Sequence, residues 1–216
     1  MKELEERFIL YRQSLKDELV FLASLIVIYK RLHVRHHDRI DEMNIAPAFF
    51  QITMTALFSC IVIWVDKLFD EKSERGLFNF LGFIENNREV FDTKELQRRR
   101  GYPDGHAVLK REQITYQTIK SDRESIKQLD CLESIKLLRD KYYAHFDKEH
   151  FFDKSKLINE TSCNWSDFDA IIKLASNILN NYSSSFDGQL YVIEASNVTD
   201  VDYILDYLHK YRQTEN

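Results

Sequence analysis

"FFQITMTALFSCIVIWV", residues 49–65, is a 17-residue run without a single charge, and its reading decides the fold. A membrane span needs roughly 20 predominantly apolar residues. This run is shorter, carries Gln51, Thr53, Thr55 and Ser59, and passes directly into "DKLFDEK" (66–72). It therefore reads as the buried core helix of a soluble protein with no membrane partner, over about 47–69. Phe50, Met54, Leu57, Ile61, Trp64 and Leu68 share one face of it. Pro47 either breaks the chain or sits in the first turn, where its missing N–H costs nothing.

A core helix needs partners, and the sequence on both sides supplies them. Upstream, Leu4, Phe8, Tyr11, Leu15, Leu19, Leu22, Ile26, Tyr29 and His33 recur in steps of three and four, one stripe of a long helix. Val20, Phe21, Val27 and Ile28 widen the stripe, and the helix is expected to run to about residue 43. Downstream, "LFNFLGFIEN" (77–86) is a short apolar helix, and "DTKELQRRRGYPDG" (92–105) a helical turn ending in an exposed loop. Sparse anchors at Ile114, Ile119 and Ile126 lead into "CLESIKLL" (131–138), and a loop follows over roughly 147–164. Ser166 reads as the N-cap of a helix carrying Phe168, Ile171, Ala175, Ile178, Leu179 and Tyr182. "GQLYVIEA" (188–195) is the only strand-like piece, and Thr199 caps a last helix with Val201, Ile204, Leu205 and Leu208. The expectation is an all-α bundle over 1–187, with a C-terminal appendage of strand-like segment and helix, 188–216, packed on it.

Five Gly and two Pro in 216 residues argue against an all-β architecture, which needs many tight turns. The net charge of −5 excludes a generally basic nucleic-acid binder, so contact with RNA would have to come from local patches. "YKRLHVRHHDR" (29–39), with Arg35, and Arg98, Arg99 and Arg100 in the expected loop are the candidates. Cys60, Cys131 and Cys163 form no CxxC pair, which fits a reducing cytoplasm, and "MKELEERF" lacks the apolar core of a signal peptide. His33, His37 and Asp41 step by four along one helix face, but a solvated run is the simpler reading; no metal and no cofactor is expected.

One stretch carries chemistry. "RDKYYAH" (139–145) places Arg139 and His145 six positions apart behind an ordinary helical run. RNA carries its own nucleophile, the 2′-OH, beside every scissile phosphate. A catalyst has to add a proton carrier near neutral pKa, which histidine is, and a fixed cation for the developing charge. Arginine provides the cation as a fork of donors matched to phosphate oxygens. Lys141 beside them would steer phosphate, and Tyr142 and Tyr143 read as packing.

The string "LLRDKYYAHFDK" (137–148) resembles the HEPN superfamily, whose hallmark is Arg, a polar residue and His in an R-x(4–6)-H motif. It is most similar to the abortive-infection, AbiU-like branch, and "VDKLFDEKSERGLFNFL" (65–81) looks like that branch's earlier helix pair; the likeness covers roughly 50–185. The resemblance implies a HEPN-like helical bundle and a metal-independent endoribonuclease that works as a homodimer, often as a toxin or phage-defence effector. Arg139 and His145 would be its catalytic pair, oriented by Asp140. A cognate antitoxin or a nucleotidyltransferase would be a natural partner. Some HEPN toxins are silenced by adenylation of a Tyr two positions after the His; here that position is Asp147. The competing readings are a non-catalytic HEPN scaffold, or a nucleotide-binding module acting with a partner protein, or a regulator of a separate enzyme. Helix geometry adds a constraint: residues six apart on a regular α-helix point about 120° apart. Arg139 and His145 of one straight helix would therefore not grip one phosphate, which favours a groove shared between two copies.

Overall fold

The computed structural model describes residues 1–143, 163–195 and 198–215. The long stripe forms α1, Lys2–Asp38, and Phe8, Leu15, Leu19, Leu22 and Ile26 are buried as its spacing requires. The expected continuation to about residue 43 is broken at Arg39, whose backbone leaves the helical region at φ −131°. The turn starts a short α2, Ile40–Met43, and swings Glu42 and Met43 inward. Pro47 sits in the first turn of α3, Pro47–Phe69, which runs back antiparallel to α1: Trp64 Nε1 donates to Glu18 at 2.6 Å, and Phe58 meets Tyr29.

The reading of α3 as a buried core helix holds for its C-terminal half, while in the N-terminal half Phe50 is the one buried residue. Ile61, Val62, Val65, Leu68 and Phe69 lie in the core, whereas Phe49 and Ile52 stand 60% and 68% exposed. An 18-residue window of α3 has a mean hydropathy of 2.0 with 22% of it buried, so by length and composition this helix is apolar enough to span a bilayer. The sequence shows this asymmetry only faintly, in Gln51, Thr53 and Thr55 of the open half against the unbroken IVIWV of the covered one.

α4, Leu77–Asn86, begins at Gly76, where an added Cβ would stand 2.8 Å from the Leu68 carbonyl oxygen. Only a residue without a side chain lets the chain turn so tightly against the end of α3. α5, Thr93–Arg100, is capped by the Asp92 carboxylate and closed by Gly101 at φ 64°. α6, Tyr116–Lys127, opens on a capping box between Thr115 and Thr118. α7, Cys131–Leu138, leads to the motif, and α8, Trp165–Asp187, closes the core. The cap of α8 is Asn164, not the expected Ser166: its side chain accepts from the Ser166 N–H at 3.0 Å, while Asp167 accepts from the Asn164 N–H at 2.7 Å.

The core is built of rings. Phe8 lies 4.6 Å from Phe186 and 4.9 Å from Phe91, centroid to centroid, and Tyr182 stands edge-on to Phe80. The Tyr182 hydroxyl, sealed from water, donates to Asp122 at 2.6 Å.

Beyond Gly188, at φ 77°, the strand-like segment is extended but joins no sheet; among the described residues there is no strand at all. A side chain takes the place of a neighbouring strand. The Asn180 carboxamide accepts from the Tyr191 N–H at 2.7 Å and donates to the Tyr191 carbonyl at 2.8 Å. Its side chains alternate as in a strand: Tyr191 and Ile193 pack on the core and Leu190 and Val192 face outward. The last helix, α9, Asp200–Glu215, lies across α1 and α2 around Leu32, Met43, Phe50, Val201 and Leu205. The protein is an all-α helical bundle.

Candidate functional site

α7 buries Ile135 and Leu138 against the C-terminal half of α3, and this packing carries the motif to its place. At Arg139 the helix does not end. It widens into a π-turn over Arg139–Tyr143, an i→i+5 arrangement that recurs at functional positions. The regular α-helix assumed in the sequence argument is thus absent at the motif itself. His145 and Asp147 lie outside the described residues.

Two carboxylates hold the Arg139 guanidinium. Its Nε donates to Asp140 Oδ1 at 2.7 Å and its Nη2 meets the same oxygen at 2.6 Å. Its Nη1 donates to Asp66, near the end of α3. The Arg139 side chain is 22% exposed, Asp66 11% and Asp140 43%. Burial acts to lower the arginine's pKa, but the hydrogen bonds to Asp66 and Asp140 outweigh it, and the cation is held more firmly than in water. Asp66 also lines a 310 Å³ cleft with Phe69, Glu71, Lys127, Glu133 and Lys136. Lys141 is half-buried on the motif turn.

Asp66 was not among the residues singled out in the sequence. Its signal was there: an acid on the inner stripe of an apolar helix, four residues after buried Val62 and three before buried Phe69.

The remaining basic candidates have intramolecular partners. Arg98, Arg99 and Arg100 occupy the last turn of α5, not a loop. Arg98 pairs with Glu5 and Glu95. Arg99 is 9% exposed, donates to the Phe186 carbonyl at 2.8 Å and lies over the Phe186 ring. Arg100 donates to the Asp187 carbonyl. The last carbonyls of α8 have no helical partner of their own, and these guanidinium groups satisfy them. Arg99 is thus a buried tie between helices. Arg35, with Arg31, meets Asp202 on α9, at 2.7 Å from the Arg35 Nε, so the basic face of α1 is matched within the chain.

His33 packs against Tyr29 and Trp165, and among the described residues no three His, Cys, Asp or Glu side chains are gathered to hold a metal ion. Cys131 and Cys163, remote in sequence, are free thiols near enough to affect each other: the Cys131 thiol and burial raise the pKa of Cys163.

A model of the family HEPN_AbiU2, described as AbiU2, matches residues 1–209, further in both directions than the 50–185 over which the resemblance was read. No curated protein matches the chain, and no solved structure does.

Proposed function

The chain belongs to the HEPN_AbiU2 family, and from that membership we propose that it is a metal-independent endoribonuclease acting in the cytoplasm as a toxin or phage-defence effector. The observation that carries the reading is Arg139. Arg139, which the motif resemblance takes as the catalytic arginine, is a guanidinium that is partly buried, fixed by two carboxylates and set on a π-turn. Such a group offers a pre-oriented cation to a phosphodiester at little entropic cost.

In this reading His145 takes the proton from the ribose 2′-OH. The O2′–P bond forms, the P–O5′ bond breaks, and the 5′-oxygen leaves with a proton from a second imidazole or from water. Arg139 neutralises the charge gathered on the non-bridging oxygens, Asp140 orients it until the phosphate arrives, and Lys141, Arg98 and Arg100 draw RNA to the surface. The products are a 2′,3′-cyclic phosphate and a 5′-OH. The working unit is a homodimer: a second copy would cover Phe49 and Ile52 on the open half of α3, whose exposure in one chain is costly. A cognate antitoxin is the expected regulator; Asp147 leaves an adenylating nucleotidyltransferase without its tyrosine.

The test is single-stranded RNA with the purified chain in EDTA. Cleavage to cyclic-phosphate ends should persist there and vanish in Arg139→Ala and in His145→Ala. A requirement for Mg²⁺, or full activity in His145→Ala, overturns the mechanism, and no cleavage under any condition favours a scaffold or nucleotide-binding role.

A further inference from the structure

The two carboxylates on Arg139 differ in how deeply they sit. Asp66 is 11% exposed and belongs to α3, whose packing against α7 fixes its position. Asp140 is 43% exposed and belongs to the motif turn itself. Among the described residues, Arg139 is the one cation paired with Asp66. Pulling Arg139 away would leave a mostly buried carboxylate without the cation it pairs with, which costs more than opening an exposed pair.

Charge counting says which bond yields. One guanidinium between two carboxylates leaves one negative charge in excess, so an incoming phosphodiester, itself an anion, has to displace a carboxylate instead of joining both. The exposed one is the cheaper to displace. Nε and Nη2, both turned on a single oxygen of Asp140, are also the adjacent donors whose spacing fits two phosphate oxygens.

We infer that Asp66 is the positioning residue for Arg139: it anchors Nη1 to α3, and the Nε/Nη2 edge, covered at rest by Asp140, is the edge that receives RNA phosphate. The inference rests on the reading that Arg139 meets the scissile phosphate. Asp66 acts through Arg139 and touches no substrate.

The experiment uses the full chain and single-stranded RNA. Asp66→Ala should lower kcat by roughly 100-fold, the scale of a misplaced reacting group, with KM near wild type. Asp66→Asn keeps an acceptor oxygen toward Nη1 and should recover most of that loss. Asp140→Asn should tighten RNA binding at low salt, because the competing charge is gone. Independently of activity, nitrogen-15 NMR of the Arg139 guanidinium, assigned through Arg139→Lys, reads rotation about the Cζ–Nη bonds. Rotation should be slow in wild type, faster in Asp66→Asn and fastest in Asp66→Ala. If Asp66→Ala does not fold, the Asn variant decides by this readout.

Wild-type kcat with unchanged guanidinium rotation in a folded Asp66 variant overturns the anchoring role. Unchanged or weaker RNA binding in Asp140→Asn overturns the edge assignment. Full cleavage by Arg139→Ala overturns the reading of Arg139 on which both rest, while the NMR result still reports whether Asp66 holds the guanidinium.

Discussion

Around Phe8 the bundle closes ring on ring: Phe80, Phe91, Tyr182 and Phe186 surround it, all sealed from water. Near the other end of the same helix α1, the closure is of another kind. A small cluster of Leu32, Met43, Phe50, Val201 and Leu205 is rimmed by ion pairs, Arg31 and Arg35 to Asp202, Arg39 to Asp206, Arg212 to Asp41, and His209 to buried Glu42. One end is held chiefly by dispersion and by area removed from water, and its Arg12–Asp187 pair, at 2.8 Å, is buried and so little screened by salt. The other is held by charges, most of them reached by solvent and therefore weakened by screening and by titration. The difference implies that α9 can leave its place while the bundle stays folded.

Substitution at each centre would break or sharpen that contrast most strongly. Phe8→Ala should cost about 3–5 kcal/mol and lower the midpoint of the whole unfolding transition, read by circular dichroism in urea. Leu205→Ala should cost about 2–3 kcal/mol, confined to α9. Amide exchange over 200–215 should accelerate while the amides of α8 remain protected. Global unfolding by Leu205→Ala would mean that the two ends form one cooperative unit.

A smaller effect separates two neighbouring arginines. Arg99→Ala removes the partner of two buried carbonyls, Val90 and Phe186, and should cost about 1–3 kcal/mol of global stability. Arg98→Ala on the exposed side of the same turn should leave the melting curve unchanged. Equal effects would show that Arg99 is not the tie between α5 and α8 that its burial implies.

The smallest expected effect is a difference in sign with pH. For Glu42, burial acts to raise the pKa, but the hydrogen bond with His209, its own backbone N–H and Arg39 prevail and lower it. Hydrogen bonding from Arg31, joined by Arg35, lowers that of Asp202. Carboxyls depressed in the folded state stabilise it above their ordinary values, about pH 4, and that contribution fades as pH falls through the depressed ones. Asp122 in the core is the reverse: burial raises its pKa and the Tyr182 hydrogen bond offsets this only in part, so acid favours its folded form. Acidification below about pH 4 should thus loosen α9 before the core, seen as earlier loss of amide protection over 200–215. Simultaneous loss at both ends would remove the distinction.

How much was legible varies with the range of the force involved. The stripe of α1 and the Pro47 start of α3 were readable because spacing and a proline ring act within one or two turns. The Ser166 cap missed by two positions because Asn164 and Ser166 are both good capping residues, and the reciprocal Asp167 decides between them. "GQLYVIEA" alternates as a strand should, yet what lies beside it is the Asn180 side chain, which periodicity cannot announce.

The sequence by itself determined the helical class, the resemblance to the family that matches the chain and most helix boundaries, since each is written in residues a few positions apart. Tertiary structure alone decided what the charged residues do. Arg35 meets an acid 167 residues away, and Arg139 one 73 residues away. The free energy of an ion pair depends on distance in space and on burial, and neither follows from separation along the chain. The same holds for α3, one half covered and the other open. Hydrophobicity is a property of its residues, while burial belongs to the neighbours that the fold brings against them.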